Sequence, residues 1–288
     1  MNFITIISAL AVFLLVVLFH ELGHFLVAKA VNIKVNEFSI GMGPAIVQSQ
    51  KGETEYSLRA IPLGGYCAME GEDEDSADPR GFDQAKPWQR FFTILAGPIM
   101  NILTAVLLFS IYAAMMGQPV PVVDEFTENS VRAEAGLEEG DEITAINGVA
   151  VEGQEHLRNI VQEHGSEMLT ITYEKPDGTS NSVDVQAQEQ DGRYLIGFIA
   201  RTVRDNPINS IKQGFKMTWT TFIQLFQILG MLFSGQLGMD AISGPVGVIS
   251  TIGQAASNGL MPLIFLTGYI SVNLAFFNLL PIPALDGS

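Results

Sequence analysis

The 288-residue chain has one cysteine, four histidines and few charges, which make up 16% of its residues. Cys67 has no partner within the chain, so an internal disulfide is excluded, and a single thiol says little about redox compartment. Basic residues are scarce: 15 Lys and Arg stand against 31 Asp and Glu, for a formal net charge of −16. No basic patch is available to meet phosphates, so nucleic acid is not an expected partner. Much of the acid falls between Val120 and Asp205, which reads as a solvated domain. No basic residue precedes the first apolar run and no small-residue cleavage site follows it. Residues 1–19 therefore read as part of a retained membrane helix, roughly residues 3–25, and not as a signal peptide.

What is plentiful is apolar: 48% of residues are hydrophobic and mean hydropathy is positive, as a membrane protein requires. The unbroken apolar run from Phe3 to Phe19 ends in His20-Glu21-Leu22-Gly23-His24. Helical spacing of four puts both imidazoles on one face, about 6 Å apart along the axis. That suits two ligands of one tetrahedral Zn²⁺, with Glu21 one step round the helix as general base. The other two histidines, His156 and His164, read as surface or core residues. Charged groups inside a membrane helix are costly and usually functional, so a zinc site at this depth implies hydrolysis inside the bilayer. The motif needs a third ligand, and the far end of the chain offers Asp286. It lies in NLLPIPALDG, Asn278 to Gly287, directly after the apolar stretch Leu260 to Phe277, and leaves the fourth position to water.

With HELGH in the first membrane segment and NLLPIPALDG in a late one, the chain resembles the site-2 protease family of intramembrane zinc metalloproteases. FSIGMGP (Phe38 to Pro44), YSLRAIPLGGYCAMEGED (Tyr56 to Asp73), AGPIMN (Ala96 to Asn101), AEAGLEEGDEITAINGVAV (Ala133 to Val151) and SGPVGVIS (Ser243 to Ser250) are similar to its bacterial branch called regulator of sigma-E protease. That branch often carries two PDZ domains in Gram-negative bacteria. One is legible here, as in shorter relatives.

The expected architecture is a polytopic α-helical membrane protein with a small membrane-associated β-sheet and an inserted extracytoplasmic PDZ (α+β) domain. Residues 1–30 form the first transmembrane helix, 31–90 the cytoplasmic-side β segment and 91–117 the second transmembrane helix. Residues 120–204 form the PDZ domain, 205–258 interfacial amphipathic helices, and 259–288 the third transmembrane helix with LDG. Relatives usually read LDGG and then span once more. Here Ser288 replaces the second glycine and the final helix is absent, which reads as a shortened chain.

Lysine and arginine placement sets the orientation. Lys29, Lys34, Lys51, Arg59, Arg80, Lys86 and Arg90 lie between the first two spans, so that segment is expected on the cytoplasmic side and the acidic domain outside. Asp286 reaches the zinc of His20 and His24 only if the chain crosses once between Arg204 and Asp286. Leu260 to Leu280 leads straight into Asp286. Phe215 to Phe233 holds Lys216, Gln224 and Gln227, so it reads as an interfacial or partly embedded helix.

The resemblance further implies that the sheet within residues 33–70 dips toward the active site. An exposed strand edge there can hold an extended substrate, with Gly64 and Gly65 as substrate-binding positions. Asn273 and Asn278 would help hold the substrate backbone. The PDZ groove would bind an extended peptide or a carboxyl terminus. The expected substrates are single-span membrane proteins of the bacterial cytoplasmic membrane, such as an anti-sigma factor or a signal-peptide remnant. The rival class is a non-catalytic membrane PDZ adaptor with a structural metal site, against which an intact Glu21 argues. A metalloprotease acting on soluble chains is disfavoured by the buried motif.

Overall fold

With no water to satisfy the backbone, an apolar chain in lipid closes its own hydrogen bonds as helix. The computed structural model describes residues 2–72, 74–127, 136–204, 206–238, 244–281 and 286. Parts of the AEAGLEEGDEITAINGVAV string, Ser243, and the Ile282–Leu285 and Gly287 positions of the LDG segment lie outside them. The chain divides into two units: residues 1–115 with 206–288, and residues 116–205.

The first unit begins with α1, Phe3–Ala30, capped by the Asn2 side chain, which accepts from the Thr5 N–H at 2.8 Å. Strands β1, Val35–Lys51, and β2, Thr54–Met69, follow, then α2, Pro87–Met116. α2 starts four residues earlier than Phe91, the residue expected to open it, because Pro87 can open a helix without wasting an N–H. At 28 residues α1 is about 42 Å long, enough to cross a ~30 Å hydrocarbon core.

β1 and β2 make more than a hairpin. Residues 45–51 pair antiparallel with 54–59, and 35–42 pair antiparallel with 61–69. Residues 37–40 also stand opposite 55–58, both runs ascending. The result is a folded ribbon whose outer edges are 45–51 and 61–69. Glu37 ties three of its segments together. It accepts from Arg59 Nη2 at 2.6 Å and from the hydroxyls of Ser57 and Tyr66, while the Arg59 guanidinium lies 5.1 Å from the Tyr66 ring centre. Burial and this carboxylate push the Tyr66 hydroxyl up to about 12. Hydrogen bonds from Ser76, Asn36 and Lys34 hold Glu70 down at about 2. Within the acidic run after β2, Glu70 and Asp78 are thus ion-paired with Lys34.

The second unit holds strands β3, Gln118–Phe126; β4, Glu142–Ile146; β5, Val149–Ala150; helix α3, Gln154–His164; and strands β6, Met168–Glu174; β7, Ser180–Gln186; β8, Gln188–Gln190; β9, Arg193–Leu195; and β10, Phe198–Val203. Its main sheet runs β10-β3-β4-β6-β7, so β10 is an edge. Alternation on β6 turns Leu169, Ile171 and Tyr173 inward, and α3 adds Leu157, Ile160 and Val161 from one face. Each aliphatic side chain taken from water here contributes roughly 1.5–3 kcal/mol.

The first unit resumes with α4, Pro207–Phe233; α5, Pro245–Ser257; and α6, Leu260–Asn278. Among the described residues, α1, α2 and α6 are the helices long and apolar enough to cross a membrane. α4 packs Leu225 with Phe109 of α2 and Phe276 of α6, and α5 seats Ile252 against Ala9, Val12 and Val16 of α1.

Candidate metal centre

α1 keeps one stripe inside the protein: Ala9, Val12, Val16, His20, Gly23 and His24, at steps of three or four residues with His24 beside Gly23. The stripe carries both imidazoles inward, where they are 4% and 8% exposed. Their Nε2 atoms lie 3.2 Å apart. Asp286 Oδ2 lies 2.7 Å from His20 Nε2 and 3.2 Å from His24 Nε2. Corners of a tetrahedron with bonds of about 2.0–2.1 Å stand roughly 3.3 Å apart. The three atoms are therefore gathered at close to the spacing of ligands round one zinc ion, and no other such group occurs among the described residues.

The tautomer of His24 fits the same chemistry. Its Nδ1 is 2.8 Å from the Thr93 carbonyl oxygen. An oxygen acceptor there requires a proton on Nδ1, which leaves the Nε2 lone pair facing His20 and Asp286. His20 Nδ1 meets the side-chain amide of Asn101 at 3.1 Å. Both partners come from α2, which approaches this closely because two glycines allow it. A Cβ on Gly97 would stand 2.2 Å from His24 Nε2 and 2.7 Å from His20 Cε1, and one on Gly23 would stand 2.3 Å from the Ala96 carbonyl oxygen.

Glu21 faces a different neighbour. Val17 and Glu21, one turn apart, look onto the 61–69 segment of β2. A Cβ on Gly64 would lie 3.0 Å from Val17 Cγ1, and the Glu21 carboxylate accepts from the backbone N–H of Cys67. Gly64 sits at φ +81°, and a Cβ on Gly65 would lie 2.3 Å from the Ser39 carbonyl oxygen. Burial pushes the Cys67 thiol up, so it stays protonated beside the carboxylate.

Of the two asparagines singled out, Asn278 is at the site, with Nδ2 3.1 Å from His20 Nε2. Asn273 instead donates to the Tyr269 carbonyl of its own helix at 2.7 Å. Sequence reasoning left Thr93, Gly97 and Asn101 without a role, although AGPIMN stood out as a motif. A backbone carbonyl has no residue signature at all.

The second unit has its own cleft of about 400 Å³, between α3 and the β9–β10 segment. Leu157, Val161, Leu195 and Phe198 make it apolar, and Gln154 and Arg158 add polar groups. Gln162 Nε2 donates to the Tyr194 carbonyl at 2.6 Å and ties the helix to its rim.

The chain matches the model of Peptidase family M50 over residues 8–288. It is 37% identical over 291 residues to a protein of Clostridium acetobutylicum described as a candidate zinc metalloprotease, covering 100% of this chain and 85% of that one. The zinc metalloprotease RasP of Geobacillus kaustophilus is 30% identical over 368 residues, covering 98% and 87%. The regulator of sigma-W protease RasP of Bacillus subtilis is 27% identical over 369 residues, again covering 98% and 87%. The PDZ domain of an SdrC-like protein from Listeria monocytogenes covers 30% of this chain and 87% of its own, with 22% identity and a TM-score of 0.23.

Proposed function

The chain belongs to peptidase family M50, and from that premise we propose that His20, His24 and Asp286 hold the zinc while Glu21 is the general base for cutting single-span membrane proteins within the bilayer. It is a zinc metalloendopeptidase of the site-2 protease type and a membrane protein, with three helices among the described residues both long and apolar enough to span. The observation that carries the proposal is the convergence of His20 Nε2, His24 Nε2 and Asp286 Oδ2 to within 2.7–3.2 Å of one another.

When bound, zinc supplies a Lewis acid that polarises a carbonyl and lowers the pKa of a water toward about 7. Glu21, oriented by the Cys67 N–H, takes a proton from the attacking water and returns it to the leaving amine. Asn278 offers an amide to the substrate backbone beside the scissile bond. Asn273, with one N–H on the Tyr269 carbonyl, would join it through its second N–H or its amide oxygen. A peptide bond inside a helix is shielded by its own hydrogen bonds, so the substrate must be extended first. The 61–69 edge, kept slim by Gly64 and Gly65 next to α1, provides backbone groups for strand addition. The adaptor alternative gives way to the family and to a carboxylate held ready beside the ligands.

The substrate class is a membrane protein with one span: an anti-sigma factor or a signal-peptide remnant. The Bacillus subtilis relative is named as a regulator of sigma-W protease, which supports the first. Residues 120–204 serve as a PDZ domain outside the membrane. The edge strand β10 and the apolar cleft beside α3 support an extended peptide or carboxyl terminus as its ligand. Residues 205–258 stay interfacial or partly embedded, which keeps Asp286 on the cytoplasmic side with His20 and His24.

Metal analysis combined with cleavage of a model spanning peptide tests the proposal. One zinc per chain is expected, with activity lost on chelation and restored by zinc. Cleavage by the metal-free protein would remove the assignment. Sidedness is tested separately: a cysteine at Asp83 should label only from the cytoplasm and one at Asn181 only from outside, and labelling of both from one side sinks the topology.

A further inference from the structure

We infer that Asn101 is a positioning residue of the metal centre, its amide oxygen accepting the Nδ1 proton of His20 and so holding the Nε2 lone pair toward His24 and Asp286. The inference rests on the zinc assignment above and gives the AGPIMN segment its role. Asn101 is completely buried. Its Nδ2 lies 3.1 Å from His20 Nδ1, and its Oδ1 is buried without a hydrogen-bond partner among the described residues.

The two ends of an amide are alike in size, so either can be seated against the ring. The consequences differ. With N–H toward the ring, His20 Nδ1 must be bare and the proton moves to Nε2. There it bonds Asp286 Oδ2, 2.7 Å away, and leaves no lone pair for a metal. With oxygen toward the ring, the proton sits on Nδ1 and Nε2 is free to ligate. His24 indicates which state the site is built for, because the Thr93 carbonyl can only accept. Thr93 and Asn101 lie eight residues apart on α2 with Gly97 midway, so one helix face presents an oxygen to each ring. The Asn101 carbonyl is in turn held by Ser271 Oγ of α6 at 2.8 Å, which fixes this turn of α2.

The test is zinc affinity of the full chain in detergent, read by competition with a chromophoric chelator. Asn101→Leu keeps the volume and removes the acceptor. Its affinity should fall about 10–100-fold, the range typical of lost partners behind metal-bound histidines. Asn101→Asp keeps an acceptor and no donor, and should bind within a few-fold of the natural chain. Unchanged affinity in Asn101→Leu overturns the inference. So does an equal loss in Asn101→Leu and Asn101→Asp, which would make the amide N–H the working end. If either variant loses its helical circular dichroism, Asn101→Ser against Asn101→Ala replaces the pair: the serine hydroxyl should recover part of the affinity, and no recovery overturns the inference. Failure of the zinc assignment is distinguishable, since the natural chain itself would then bind no zinc.

Discussion

The unit around the metal centre and the unit of residues 116–205 pack by different means, because they face different solvents. Residues 116–205 bury Ile143, Ile146, Leu169 and Ile171 completely, and expulsion from water rewards each of them. Between apolar helices in lipid that reward is missing, and close packing takes its place. Gly23 and Gly97 bring α1 and α2 together, and small or hydroxylated side chains such as Ala105, Thr93 and Ser271 are fully buried between helices. A core of large aliphatic residues tolerates a lost methyl for about 0.5–1.5 kcal/mol. A glycine contact set against two imidazoles has no such slack. The difference teaches where sensitivity to single substitutions should lie: within a few residues of α1 and α2 in one unit, and spread over many contacts in the other.

The comparison breaks first if the centre proves tolerant. On the proposed ligand set, Asp286→Ala leaves two protein ligands and should weaken zinc binding more than 100-fold and abolish turnover, since losing a ligand exceeds the 10–100-fold cost of losing a partner behind one. Glu21→Gln should keep one zinc per chain and lower kcat by about 10²–10⁴, the usual worth of a general base. Metal content and turnover of a spanning peptide, measured together, separate the two. Near-normal turnover in Glu21→Gln would take Glu21 out of the base role, and full zinc in Asp286→Ala would take Asp286 out of the ligand set.

Gly97→Ala sharpens the contrast at the scale of one methyl. Its Cβ would meet His24 Nε2 at 2.2 Å, and both neighbours are held, His24 by the Thr93 carbonyl and α2 by its contact at Gly23. One of them must shift. We expect zinc affinity to fall about 10-fold or more, a displaced imidazole costing at least as much as a lost partner, while Ile146→Val in the other unit leaves it unchanged. Equal zinc affinities for both variants would erase the distinction between the units.

What the chain discloses by inspection follows the same divide. HELGH is legible because its geometry is local: four residues make one helical turn. Asp286 is legible only through its motif, since 262 positions separate it from His24. Alternation announces strands between residues 33 and 70, but the pairing of 37–40 with 55–58 depends on how the ribbon folds back, which no local pattern encodes. Thr93, Gly97 and Asn101 stand about 70–80 positions from the histidines they serve, and they act through a carbonyl, an absent side chain and an amide whose orientation matters. A spanning helix read for hydrophobicity hides all three.

The smallest expected effect belongs to the cleft beside α3. Arg158 lines it, Leu195 at its rim is 42% exposed, and neither belongs to the buried core, so both can be changed without emptying it. If the cleft receives an extended peptide along β10, binding is shared among backbone pairing and several side chains, and each contributes about 1 kcal/mol. Arg158→Glu or Leu195→Glu should then raise KM for a membrane substrate by roughly 3–10-fold, because 1.4 kcal/mol is a factor of ten. Turnover at saturation and zinc content should not move, since neither residue touches Glu21 or the ligands. The split between KM and kcat is the deciding readout. A fall in kcat at unchanged KM would mean that residues 116–205 act on the chemical step and not on capture. No change in either would leave the cleft outside the cleavage of that substrate. A KM effect confined to substrates with a free carboxyl terminus near the membrane would assign the cleft to that end of the chain, and the same effect with an internal segment would assign it to strand addition alone.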